Sequence, residues 1–107
     1  MTGKDLHQLI LHKWGHSYDL QLRRIQGRIW IQVMWRYLEQ RSFPLSETEY
    51  LDHLDTLATH LSALGAIAQV QDFILTTKAK PRLGKAVGFP LELNLGLRSL
   101  EWMIDEN

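Results

Sequence analysis

The sequence predicts an α+β fold, a small antiparallel sheet made of a hairpin and an edge strand with helices packed on one face. Three observations carry that expectation. Two runs with apolar residues at alternate positions flank Gln26-Gly27, a third alternating run contains Pro90, and between them lies a stretch with the three-and-four apolar spacing of a buried helix.

Thr2 can cap a first helix over 3–14, with Asp5 placed to favour its dipole and Leu6, Leu9, Ile10 and the stem of Lys13 along one side. Gly15 stops it. Tyr18, Leu20 and Leu22 then alternate with Asp19, Gln21 and Arg23, which predicts a strand, and Gln26-Gly27 supplies the turn to its antiparallel partner. That partner begins at Arg28. Its odd positions Ile29, Ile31, Val33, Trp35 and Tyr37 form a core face, while Trp30, Met34 and Leu38 among Arg28, Gln32 and Arg36 predict part-cover of the other.

A connector over 39–45 leads to the clearest signal in the chain. Ser46 and Glu49 form a capping box, Leu45 is placed to staple onto Tyr50, and Tyr50, Leu54, Leu57, Leu61 and Leu64 keep helical spacing until Gly65. Beyond it, Ile67, Val70, Phe73 and Ile74 fit a short helix, with an extended 73–77 as the alternative. Residues 78–85 have no periodicity and contain Pro81 and Gly84, so they predict an exposed loop. A third strand is expected over 86–93, at the sheet edge because Pro90 has no amide hydrogen to donate. The closing segment 97–104 reads as a short helix, with a strand as the alternative.

At 107 residues the chain suits one domain spanning 1–107, able to bury a core without staples. It contains no cysteine, which excludes disulfides, thiolate metal sites and cysteine nucleophiles. No apolar run approaches the roughly 20 residues of a membrane span, and Lys4, Asp5 and His7 stand where a signal peptide would be apolar. The expectation is a soluble, unexported protein. Net charge is zero, which argues against broad nucleic-acid binding, but the charge is segregated. Seven bases and three acids fall in 1–45, four acids and no Lys or Arg in 46–64, and Lys78, Lys80, Arg82 and Lys85 stand against Asp72 alone in 65–91.

The motifs Ser42-Phe43-Pro44-Leu45-Ser46-Glu47 with Tyr50-Leu51, Pro81-Arg82-Leu83-Gly84-Lys85-Ala86-Val87 with Pro90-Leu91, and Glu101-Trp102 resemble a small family of uncharacterised domains of cyanobacteria and plant plastids. The resemblance spans most of the chain. It implies a cyanobacterial cytoplasm or a plastid stroma and a role tied to photosynthetic organisms, and it brings no known activity.

The strongest candidate site is the basic loop, where Lys78, Lys80, Arg82 and Lys85 can gather around an anionic surface. A solvated polar loop is the plain alternative. It is no P-loop, because Gly84-Lys85-Ala86 lacks the first glycine and the magnesium-binding hydroxyl. The hairpin arginines Arg23, Arg24 and Arg28, with Arg36 and Arg41 beyond, extend this surface if the loop folds beside the hairpin. Trp30 would then offer a ring for stacking RNA bases, although such a Trp more often packs under a helix.

His12, His16 and Asp19 are interrupted by Gly15, and in Asp52, His53 and His60 the two histidines are two turns apart, so neither set forms a clean pair one helical turn apart and no metal site is expected. No cofactor is implied. Glu47, Glu49, Asp52 and Asp55 read as a solvated face near a helix start. No serine stands in a nucleophile elbow, and a small pocket built from Arg82, Lys85, His53 and Glu101 would leave no signature. The leading reading is a non-enzymatic protein-interaction module, an assembly or regulatory factor, using the basic loop and the edge strand beside it. The runner-up is structured RNA binding by the same loop with the hairpin arginines. An enzyme acting on an anionic small molecule comes third.

Overall fold

A computed structural model of the chain describes residues 1–93, so the predicted closing segment 97–104 lies outside the described residues. The elements run α1 (Gly3–Trp14), β1 (Tyr18–Ile25), β2 (Arg28–Tyr37), α2 (Glu47–Ala63), α3 (Ile67–Thr76) and β3 (Val87–Pro90). The strands form an antiparallel sheet in the order β1-β2-β3. This is the expected α+β fold.

The helix ends obey the local signals. Thr2 and Asp5 form a capping box on α1, Ser46 and Glu49 form another on α2, and Gly15 ends α1 in the left-handed conformation. At the end of α2 the amides of Gly65 and Ala66 donate to the carbonyls of Ser62 and Leu61, a Schellman arrangement that needs the positive φ of Gly65. Gln26 and Gly27 both take positive φ, as a two-residue hairpin turn between right-twisted strands requires. The short helix expected beyond Gly65 forms, and extended backbone begins only at Thr77.

The helices cover one face of the sheet. Leu20, Ile29, Ile31 and Val33 meet Leu6 and Ile10 of α1, Leu54 and Leu61 of α2, and Val70 and Ile74 of α3 in one buried cluster. Burying each such side chain stabilises the fold by about 1.5–3 kcal/mol. The α1–α2 crossing is the tightest contact: a Cβ on Gly3 would lie 2.8 Å from the Asp55 Cα, and the Gly3 amide donates to Asp55 Oδ1 at 2.6 Å. Asp55 therefore joins two helices, where the sequence suggested only a solvated acid.

Leu45 packs against the core cluster that contains Tyr50, and the Phe43 and His7 rings are also set edge-on against Tyr50. Two expectations need correction. Trp35 is only half-buried, because the β1–β2 register shifts between Tyr18 and Leu20 and breaks the alternation that would have turned it inward. The third strand is shorter than 86–93. Leu91 still donates to the Ile29 carbonyl, but Gln69 of α3 holds both the amide and the carbonyl of Glu92, so the chain leaves the ladder there.

Candidate functional site

The basic loop forms its surface through a turn and an anchor. Arg82 and Lys85 exchange two backbone hydrogen bonds, of 3.0 and 2.7 Å, across Leu83 and Gly84, and Gly84 takes the positive φ this tight turn demands. Upstream, the Trp14 indole donates to the Ala79 carbonyl at 3.1 Å, and the Lys13 ammonium donates to Leu75 O at 3.2 Å. Trp14 is itself set edge-on to Tyr18, which packs with His16 and Tyr37. The C-terminal end of α1 thus fixes where the loop runs.

Lys78, Lys80, Arg82 and Lys85 line one depression of about 430 Å³, together with Phe73 and Val87. No carboxylate is present among the described residues that line it. All four cationic side chains are exposed. The arrangement offers a cationic wall beside an apolar patch, and it suits an anionic group that carries apolar surface with it. Nothing in it places a base against a nucleophile.

The hairpin arginines do not join this surface. Val87, where the loop ends, pairs with Val33, whereas Arg28 lies five residues further along β2, about 16 Å at strand rise, and Arg23 and Arg24 lie beside it at the hairpin tip. Arg28 also pairs with Glu92 at 3.3 Å. The condition that the loop folds beside the hairpin is not met.

Both sheet edges are partly covered. On β1, Tyr50 Oη donates to the Tyr18 carbonyl at 2.7 Å and His53 Nε2 bonds the Leu20 carbonyl at 2.7 Å, while the Leu20 amide donates to Asp19. On β3, the Leu91–Ile29 bond fixes which groups turn inward. Alternation then leaves Gly88 and the Pro90 carbonyl facing outward before Gln69 closes the edge at Glu92. Among the described residues of β3, the Gly88 amide and carbonyl and the Pro90 carbonyl are the outward groups, too few for an incoming strand to build on.

Two polar clusters lie away from the loop. Ser17, 1% exposed, donates its hydroxyl to Glu39 Oε2 at 2.7 Å and its amide to Glu39 Oε1 at 2.9 Å, and His7 Nε2 lies 2.8 Å from the same hydroxyl. Because the hydroxyl proton goes to the carboxylate, the imidazole cannot act as base on that oxygen. The cluster is a structural tie. Burial would raise the Glu39 carboxyl, but the two bonds from Ser17 outweigh it and hold the group below its usual range. The bond to Asp19, 3.3 Å away, raises His53 above an ordinary imidazole against the opposing effect of burial. Burial pushes the Tyr50 phenol far up. Among the described residues no group of three His, Asp or Glu side chains could hold a metal ion, and no helix is long and apolar enough to cross a membrane.

Three parts of the surface were not identified from the sequence. Trp14 and Phe73 reach the loop only through tertiary packing, and a helical apolar stripe does not announce that. Leu83 did leave a trace. It is an apolar residue between Arg82 and Gly84-Lys85 in an otherwise polar loop, and it is 92% exposed.

Among the described residues, fold and surface together define a small α+β domain with three helices on a three-stranded antiparallel sheet and one basic depression. The chain belongs to the family described as domain of unknown function DUF3067, which it matches over residues 4–103. It is similar to the Alr2454 protein from Nostoc sp. strain PCC 7120, whose solution NMR structure shares 60% sequence identity with it, covering 99% of this chain and 100% of that one at a TM-score of 0.84. The expected kinship with uncharacterised cyanobacterial domains is borne out. No curated protein matches the chain.

Proposed function

We propose that the chain is a non-enzymatic interaction module that captures an acidic, partly apolar segment of a partner protein in the basic depression. One observation carries the reading. Lys78, Lys80, Arg82 and Lys85 are gathered around a single hollow whose apolar part is Phe73 and Val87, with no described carboxylate lining it to neutralise them. Cations beside apolar surface favour a peptide with acidic residues around a hydrophobic one. RNA would need a continuous basic track with exposed rings, and the hairpin arginines lie at the other end of the sheet. The short open edge of β3 favours side-chain capture over strand addition.

The test titrates the nitrogen-15-labelled protein with a peptide of alternating Glu and Leu, and in parallel with a single-stranded RNA of equal charge. The reading expects the peptide to shift the amides of Phe73 and residues 78–88. The triple reversal Lys80→Glu, Arg82→Glu, Lys85→Glu abolishes the shifts and leaves the far-ultraviolet circular dichroism unchanged. Equal peptide binding by the reversed protein overturns it. Tighter RNA binding that moves Arg23, Arg24 and Arg28 as well replaces it with the nucleic-acid reading.

A further inference from the structure

Beside the basic depression, and sharing Phe73 with it, lies a second hollow of about 460 Å³ between α3 and β3. Phe73 and Phe89 stack in it with centroids 4.3 Å apart, and Asp72 and Glu92, both exposed, line it with them. It is an apolar slot flanked by two acids. The turn at 82–85 has the converse pattern, an almost fully exposed leucine with a cation on either side, held by paired backbone bonds.

Resting on the reading above, we propose that the partner is a second copy of this chain, with Leu83 of each copy seated against the Phe73–Phe89 stack of the other. Arg82 and Lys85 then face the partner's Asp72 and the partner's Glu92. A leucine left 92% exposed on a conformationally fixed turn gains by burial and has little conformational freedom to lose. The charges on turn and slot are opposite in sign, so the approach is steered. Turn and slot adjoin through Phe73, so a two-fold axis between copies lets both contacts form at once and closes the assembly as a dimer. Glu92 also pairs with Arg28, but that pair is solvent-exposed and exchanges readily for one across the interface.

The experiment is sedimentation velocity of the intact 107-residue chain from micromolar to millimolar concentration, with melting temperature and circular dichroism as folding controls. The expected result is a weight-average mass that climbs toward twice 12.5 kDa and falls back as salt is raised. Leu83→Asp weakens association on the order of a hundredfold, because each dimer contains the change twice, and leaves the melting temperature in place. Arg82→Glu with Lys85→Glu, and separately Asp72→Lys with Glu92→Lys, each give monomers. When mixed, the two variants restore both contacts, one with the native charges and one with the charges reversed, and associate one to one.

A constant 12.5 kDa at all concentrations overturns the proposal, as does wild-type association by Leu83→Asp. A monomer that still binds the acidic peptide removes the second copy as partner and leaves the interaction module standing. A monomer that binds neither removes both.

Discussion

The α1–α2 crossing and the α3–β3 end differ in how closely their surfaces are filled. At the crossing, Gly3 packs without room for a methyl group, its amide is bonded to Asp55, and Tyr50 is fully buried with its hydroxyl on the β1 edge. At the other end, Leu75 and Leu83 are exposed and two hollows open around Phe73. The first region is closely packed at Gly3 and Tyr50, although Thr2, His7, Leu51 and Asp55 also border a hollow of about 610 Å³, and the second has exposed apolar side chains that the described fold leaves uncovered. The comparison sets close packing at one end of the molecule against exposed apolar and cationic surface, where recognition is proposed, at the other.

Substitutions at the crossing should give the largest stability changes. Gly3→Ala forces a methyl group into the backbone at Asp55 and is expected to destabilise the fold by about 2–3 kcal/mol, read from urea denaturation. A loss under about 0.5 kcal/mol would mean that the crossing can slide and the contrast between the two ends is overstated. Tyr50→Phe removes the donor to Tyr18 O in a buried site and is expected to lose about 1–2 kcal/mol.

The titrating clusters sharpen the comparison through pH. Ser17 holds the Glu39 carboxyl below its ordinary range, so the stability this gives is present above the unfolded carboxylate pKa of about 4.3 and is lost as pH falls through the folded value. Ser17→Ala should flatten that acid limb. Asp19 raises His53, so its contribution is complete below the unfolded imidazole pKa of about 6.5 and is lost as pH rises through the folded value. Asp19→Asn should remove the decline above neutrality. Melting temperatures of the two variants between acid and mildly alkaline pH check both limbs.

The smallest stability effect belongs to the α3–β3 end. Leu83→Asp should change folding stability by less than about 0.5 kcal/mol, since the side chain is almost wholly in water. A large loss would show that Leu83 is part of the fold and that the two ends of the molecule do not differ in this way.

Local chemistry was legible because it acts within a few residues. Ser46 with Glu49, Thr2 before Gly3, the Gly65 terminus and the Gln26-Gly27 turn each satisfy or redirect backbone groups close by, so their consequences follow from the chain itself. The cations of the loop were equally visible. Their company was not. Lys78, Lys80, Arg82 and Lys85 surround one hollow because Trp14, 65 residues away in sequence from Ala79, pins the loop there.

The sequence by itself determined the elements, the buried faces of helices and strands, and the sign of the charge on the loop, since periodicity and capping decide those locally. Tertiary structure alone decided that the hairpin arginines fall at the far end of the sheet, that Gln69 shortens the third strand, and that Phe73 serves both hollows. Those outcomes depend on strand register and helix placement, which join residues far apart in the chain through the shape of the whole core.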